Sequence, residues 1–174
     1  MQLETRAISD VSIDDTTGEF TGYITKWNTV DSYNSTFVRG CFKKTIENRS
    51  DKVKVLYNHD TLIGKAVEIR EDDTGCFVRG IIDLETQAGK ETYSMLKKGI
   101  LDGLSFGFTV EKRTNVKGID TIMEVTLYEF GPVNFPANDS ANVAEVRSGY
   151  VETKDDRTFY FITDCFADAV WDVS

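Results

Sequence analysis

The chain has 174 residues, 40% of them hydrophobic and 28% charged, with 29 acidic against 20 basic side chains and a formal charge of −9. That mixture excludes a disordered or fibrous chain. The acidity weighs against tracking nucleic-acid phosphates or lying on an anionic membrane, and no apolar run approaches the ~18 residues a bilayer span needs. The length suits one domain burying roughly 70% of the surface its unfolded form exposes.

The opening stretch MQLETRAISD carries Glu4 and Arg6 where a signal peptide would be apolar, so a cytosolic protein is expected. Residues 3–8 and 19–27 alternate as strands, separated by a turn near Asp14–Gly18. Residues 28–36 are a polar loop, and residues 39–49 place Phe42, Thr45, Ile46 and Arg49 at helical spacing. Strands follow at 52–59, 63–69 and 76–84, the last two joined across an acidic turn at Glu71, Asp72 and Asp73. Residues 88–99 form the clearest helix, with Thr86 or Gln87 to cap it, Lys97 and Lys98 at its negative end, and Gly99 to stop it. Strands are expected at 104–112 and 120–130, then a break at GPVNFPAN and a short strand at 142–147. About eight short strands with two short helices predict a mainly β barrel or sandwich. The body ends near residue 147, and residues 148–174 form an acidic, aromatic tail, either packed as a short helix or removed by processing.

Few residues are equipped for chemistry. Cys41, Cys76 and Cys165 are odd in number and far apart, which argues for reduced thiols and against a zinc site; Cys41 and Cys76 sit in apolar settings. His59 is the single histidine, so a two-histidine metal site is excluded. No phosphate-cradling or dinucleotide motif is present, and neither cofactor nor metal is expected. GLSFG at 103–107 has the letters of a nucleophile elbow but the wrong context, a strand following where a helix is required.

Read as a strand, the same segment puts Leu104, Phe106, Phe108 and Val110 on one face and Ser105, Gly107 and Thr109 on the other. Ser105 is then either a nucleophile on a small-residue face or an ordinary polar residue facing water. His59 ends a strand beside Asp60, on the parity of Val53, Val55 and Tyr57; it is either a general base or a packed or surface ring. Reaching Ser105 would need a bend at Asn58. Glu129 shares parity with Met123, Val125 and Leu127, an apolar face where a carboxylate needs a partner such as an imidazole N–H, unless the strand stops short of it. Glu124 falls on the solvated face. The acidic turn is expected to be a solvated charge run.

Three blocks carry a resemblance: LYNHDTLIGKAVEIREDDTGCFVRGIID, KKGILDGLSFGF and MEVTLYEFGPVNFPANDSANVAEV. From about residue 3 to residue 147 the chain resembles the tailed-phage prohead maturation proteases, serine peptidases related in fold to the herpesvirus assemblins. The resemblance implies an assemblin-like closed or partly closed β-barrel flanked by helices. It implies His59 as general base, Ser105 as nucleophile and Glu129 as third member, where assemblins use a second histidine. Gly103–Gly107 backbone or Arg113 are the candidates for oxyanion donors. Implied substrates are the scaffold protein and the scaffolding segment of the major capsid protein, inside the assembling prohead in the host cytoplasm. Self-cleavage around Arg147–Tyr150 and a homodimer fit the same picture. A non-catalytic capsid-assembly module of this shape, or an esterase, are the competing readings.

Overall fold

The computed structural model describes residues 12–13, 17–31, 33–135, 150–152 and 158–161. Alternation of apolar and polar side chains makes β2 (Glu19–Lys26) and β6 (Gly75–Ile82) half-buried partners: Phe20 and Ile24 of one, Cys76, Val78 and Ile82 of the other, turn to the core. With β1 (Ser12–Ile13), β4 (Lys54–Tyr57), β5 (Thr61–Glu71), β7 (Gly103–Val116), β8 (Ile119–Val133), β9 (Tyr150–Glu152) and β10 (Thr158–Phe161) they lie in the order β1-β2-β6-β5-β4-β8-β7-β10-β9. β3 (Ser35–Phe37) pairs parallel with β8 off this path. Most of the described residues lie in strands, which form an open, curled half-barrel, the partly closed form of the expected barrel, accompanied by two short helices.

The helices are α1 (Lys43–Arg49) and α2 (Gln87–Lys97). The expected cap of α2 forms: Thr86 Oγ1 accepts from the Gly89 N–H at 3.1 Å, and Gly99 leaves the helix at φ 64°. Propensity alone does not explain α1, which has no side-chain cap. Its place is set by β8, whose one edge pairs with β3 at residues 120–122 and with β4 at 129–130. Between those pairings α1 and the chain leading into it supply the missing partners. Val125 N–H donates to Cys41 O, Leu127 N–H to Thr45 Oγ1 at 3.0 Å, and Arg49 Nη1 to Leu127 O at 2.6 Å.

The sequence expectations need three corrections. Residues 52–59 are not one strand: a 3₁₀ turn at Ser50–Lys52 precedes β4, which stops at Tyr57. β8 does not break at Gly131 but runs through Pro132 to Val133. β7 reaches Val116, well past residue 112, because its hairpin partner matches it along nearly the whole length. Of the tail, residues 150–152 and 158–161 are described and form β9 and β10, with β10 antiparallel on β7. The strands expected at 3–8 and 142–147 lie outside the described residues.

The core face of the curl is aromatic. Phe106 and Phe108 stack at 4.9 Å between ring centres, Phe37 meets both edge-on at 5.5 and 5.4 Å, and Phe20 meets Phe130 at 6.1 Å. Burying these rings holds β7 and β8 rigidly against the rest of the sheet.

Candidate active site

β8 lies between β4 and β7, and the three residues singled out in the sequence come from these strands or their ends. β7 and β8 pair antiparallel, with Ser105 opposite Gly131 and Gly107 opposite Glu129. The next pair is Phe108 with Leu127, so one step along β7 matches two along β8. That bulge takes Glu129 off the face of Leu127 and onto the face of Ser105 and Gly107. Parity counted along an unbroken strand put Glu129 with Met123, Val125 and Leu127. The structure keeps Val125 and Leu127 in the core but exposes Met123 and turns Glu129 to the opposite face, where it is nevertheless buried.

Gly107 is what makes that face habitable for a carboxylate: a Cβ built there would overlap Glu129 Oε1 and press on Cδ and Cγ. Gly131 serves the other neighbour, since a Cβ there would run into the backbone carbonyl of Leu56 on β4.

His59 arrives by a turn. Asn58 and His59 both have positive φ, 50° and 60°, and the Asp60 N–H donates to Tyr57 O at 3.2 Å, the pattern of a type I′ turn between β4 and β5. Glycine is preferred at the second central position, so a histidine there is held at a backbone cost. The turn is anchored to the end of β8: Asn58 N–H donates to Pro132 O at 3.0 Å, and Asn58 Oδ1 accepts from Asn134 N–H at 2.9 Å. The bend required at Asn58 is therefore present, and it swings the ring away from the parity of Val53 and Val55.

These placements bring the three side chains into one line. His59 Nδ1 lies 2.7 Å from Glu129 Oε1, and Nε2 lies 2.9 Å from Ser105 Oγ. An ionised carboxylate only accepts, so Nδ1 carries the proton and donates to Glu129, which leaves Nε2 to accept from the Ser105 hydroxyl. All three groups are inside: the His59 and Glu129 side chains are 5% and 7% exposed and Ser105 is 3% exposed. The reading of Ser105 as a water-facing strand residue is thereby corrected. Glu129 Oε2 is buried with no hydrogen-bond partner among the described residues, so compensation for desolvating the carboxylate runs through His59.

Other sequence candidates fall elsewhere. Arg113 is half exposed, 3.5 Å from Asp120 near the far end of the β7–β8 hairpin. Eight residues at ~3.4 Å each put it about 27 Å along the strand from Ser105, too far to hold an oxyanion there. Cys41 and Cys76 are fully buried, and burial, with Glu71 nearby, pushes both thiols well above their ordinary range.

The acidic turn is structural rather than merely solvated, a role the sequence reading missed. Glu71 accepts the backbone N–H groups of Gly40 and Phe42 at 2.8 and 2.9 Å. Burial works to raise Asp72, but the Tyr23 hydroxyl, the Thr74 and Gly75 N–H groups and Arg70 outweigh it and hold the carboxyl down at about 2. Among the described residues no three His, Cys, Asp or Glu side chains gather as a metal site.

A family model described as caudovirus prohead serine protease matches residues 2–156. The chain belongs to the caudovirus prohead serine protease family. This family member is 29% identical over 142 residues to the prohead protease of Enterobacteria phage HK97, a match covering 75% of this chain and 61% of that protein. It thus spans less than two thirds of that relative's length. Its fold is similar to the capsid assembly protease of bacteriophage T4, with a TM-score of 0.51 and 12% identity over 76% of this chain and 92% of that one.

Proposed function

We propose that the protein is a serine endopeptidase of prohead maturation, with Ser105 as nucleophile, His59 as general base and Glu129 as the group that orients the imidazole. The observation that carries this reading is the unbroken hydrogen-bonded line from Ser105 Oγ through both ring nitrogens of His59 to Glu129. A serine hydroxyl is a weak nucleophile alone. As Oγ bonds to the scissile carbonyl carbon, its proton passes to His59 Nε2, and the imidazolium that forms is stabilised by Glu129 at Nδ1. Nε2 then returns that proton to the leaving amine, and water repeats the sequence to release the acyl group. Family membership supports as substrates the scaffold protein and the scaffolding segment of the major capsid protein, cut within the assembling prohead in the host, and also the chain itself.

The burial of Ser105 is the observation on the side of a non-catalytic assembly module, because a carbonyl must first gain entry. One experiment separates the readings: mass spectrometry of capsid and scaffold protein, and of the chain itself, after incubation with wild type, Ser105→Ala and Glu129→Gln. Ser105→Ala is expected to keep its fold and lose at least about a thousandfold in cleavage, and Glu129→Gln, which favours the wrong tautomer, up to about ten-thousandfold. Cleavage by Ser105→Ala at the wild-type rate would overturn the proposal.

A further inference from the structure

We propose that Tyr57, Asn58 and Asn134 are positioning residues that clamp the turn bearing His59 to the end of β8, and so hold the imidazole in line between Glu129 and Ser105. The inference rests on the endopeptidase reading and deepens it, naming what keeps the general base in register. The parallel ladder of β4 with β8 pairs Lys54 with Glu129 and Val55 with Phe130. Beyond it the chain enters the turn, where His59 takes a left-handed conformation at a cost. Three bonds tie that turn to β8. Asn58 N–H donates to Pro132 O at 3.0 Å, Asn134 N–H donates to Asn58 Oδ1 at 2.9 Å, and the Tyr57 hydroxyl donates to Asn134 Oδ1 at 2.7 Å. The last two close a ring, because Asn134 grips Tyr57 with its side chain and Asn58 with its backbone. Asn58 suits its place twice over: asparagine tolerates a positive φ, and its amide oxygen meets the Asn134 N–H.

Glu129 lies at the start of the same stretch, and Ser105 is paired with Gly131 in the middle of it. Residues 129–134 therefore act as one rail to which all three groups of the site are referenced. The imidazole sits 2.7 Å from Glu129 and 2.9 Å from Ser105, so a displacement of about an ångström breaks one contact or both. Misplacement of that size can cost about a hundredfold in rate. Asn134 is exposed and Tyr57 and Asn58 are half-buried, so the clamp's bonds are exchanged against water. Its loss should be felt in turnover more than in stability.

The test uses the full-length chain. Asn58→Gly isolates the side chain, because glycine keeps the positive φ while the amide is lost. Tyr57→Phe and Asn134→Ala each remove one partner of the third bond. The readouts are turnover of a capsid-derived peptide, the rate at which a small fluorophosphonate labels Ser105, the urea midpoint, and nitrogen NMR of the imidazole. That last signal is unambiguous because His59 is the single histidine. Asn58→Gly is expected to slow turnover and labelling at least about tenfold with KM little changed, and to shift the ring from the Nδ1–H tautomer toward a mixture. Asn58→Asp keeps the accepting oxygen and the tolerance of positive φ, and should recover the tautomer and the rate to within about threefold of wild type. Tyr57→Phe and Asn134→Ala should each cost about three- to tenfold, and together no more than the worse of the two, since both delete the same bond. Rates within about twofold of wild type in Asn58→Gly refute the clamp. So does a loss that Asn58→Asp fails to recover, or one that leaves the tautomer unchanged. If the wild type cleaves and is labelled while the variants match it, the clamp fails alone. If wild-type Ser105 neither cuts nor is labelled, the endopeptidase reading fails, and the tautomer still reports on the clamp.

Discussion

Placing a single methyl group on Gly107 should disable the proposed site without altering Ser105, His59 or Glu129 themselves. Gly107 faces Glu129 across the β7–β8 ladder, and the added Cβ of Gly107→Ala would overlap the carboxylate oxygen that receives the His59 proton. Restoring ordinary contact of ~3.5 Å displaces that oxygen by about an ångström. A bond of 2.7 Å stretched so far is no longer a hydrogen bond. Loss of orientation on this scale costs at least about a hundredfold in turnover, and up to about ten-thousandfold if the imidazole takes the wrong tautomer. The crowding should also destabilise the fold by about 1–3 kcal/mol.

Both quantities are measurable: kcat on a capsid-derived peptide, and the urea midpoint. The double variant Gly107→Ala with Glu129→Ala supplies the control. With the carboxylate gone the methyl has room, so the stability costs should fall short of additivity by more than about 0.5 kcal/mol while turnover stays low. Wild-type turnover and an unchanged midpoint in Gly107→Ala would show that Glu129 is not confined as described.

Two further outcomes concern the scaffold around the site. Thr45→Val keeps the shape of a side chain that is 1% exposed but strips its hydroxyl from both Val125 O and Leu127 N–H, and should cost about 1–3 kcal/mol by urea denaturation, with Thr45→Ser closer to wild type. Asp72 is held at about 2 in the folded chain against 3.8 ordinarily, so its contribution is complete above pH 4 and disappears as the pH falls from about 4 toward 2. Solvent reaches the group, which limits the effect to no more than about 2 kcal/mol, and Asp72→Asn should flatten that part of the acid limb.

What could be read in the sequence was whatever depends on near neighbours. The strand at residues 19–27, the hairpin across residues 71–75 and the capped helix at 88–99 each carry their pattern within a dozen residues, and each is close to its expected place. The split of β7 into a Phe106 and Phe108 face and a Ser105 and Gly107 face was legible for the same reason. Glu129 and His59 were not placed by pattern, because each is turned by a local irregularity that period-two counting cannot register. In one case it is a bulge that skips Tyr128, in the other a pair of left-handed residues. The burial of Ser105 and the coverage of β8 by α1 depend on tertiary packing, which no window of sequence contains. The position of Arg113 followed from the length of the hairpin, which was underestimated at both ends.

The line of three groups joins positions 46 and 70 apart along the chain. Closing loops of that length is entropically slow, and parallel pairing of β4 with β8 has no short turn to nucleate it. A growing chain therefore carries Ser105 and His59 without Glu129 in place until nearly the whole half-barrel has formed. On the proposed mechanism, hydrolysis is thereby tied to completed folding, and a partly built molecule is harmless to its surroundings.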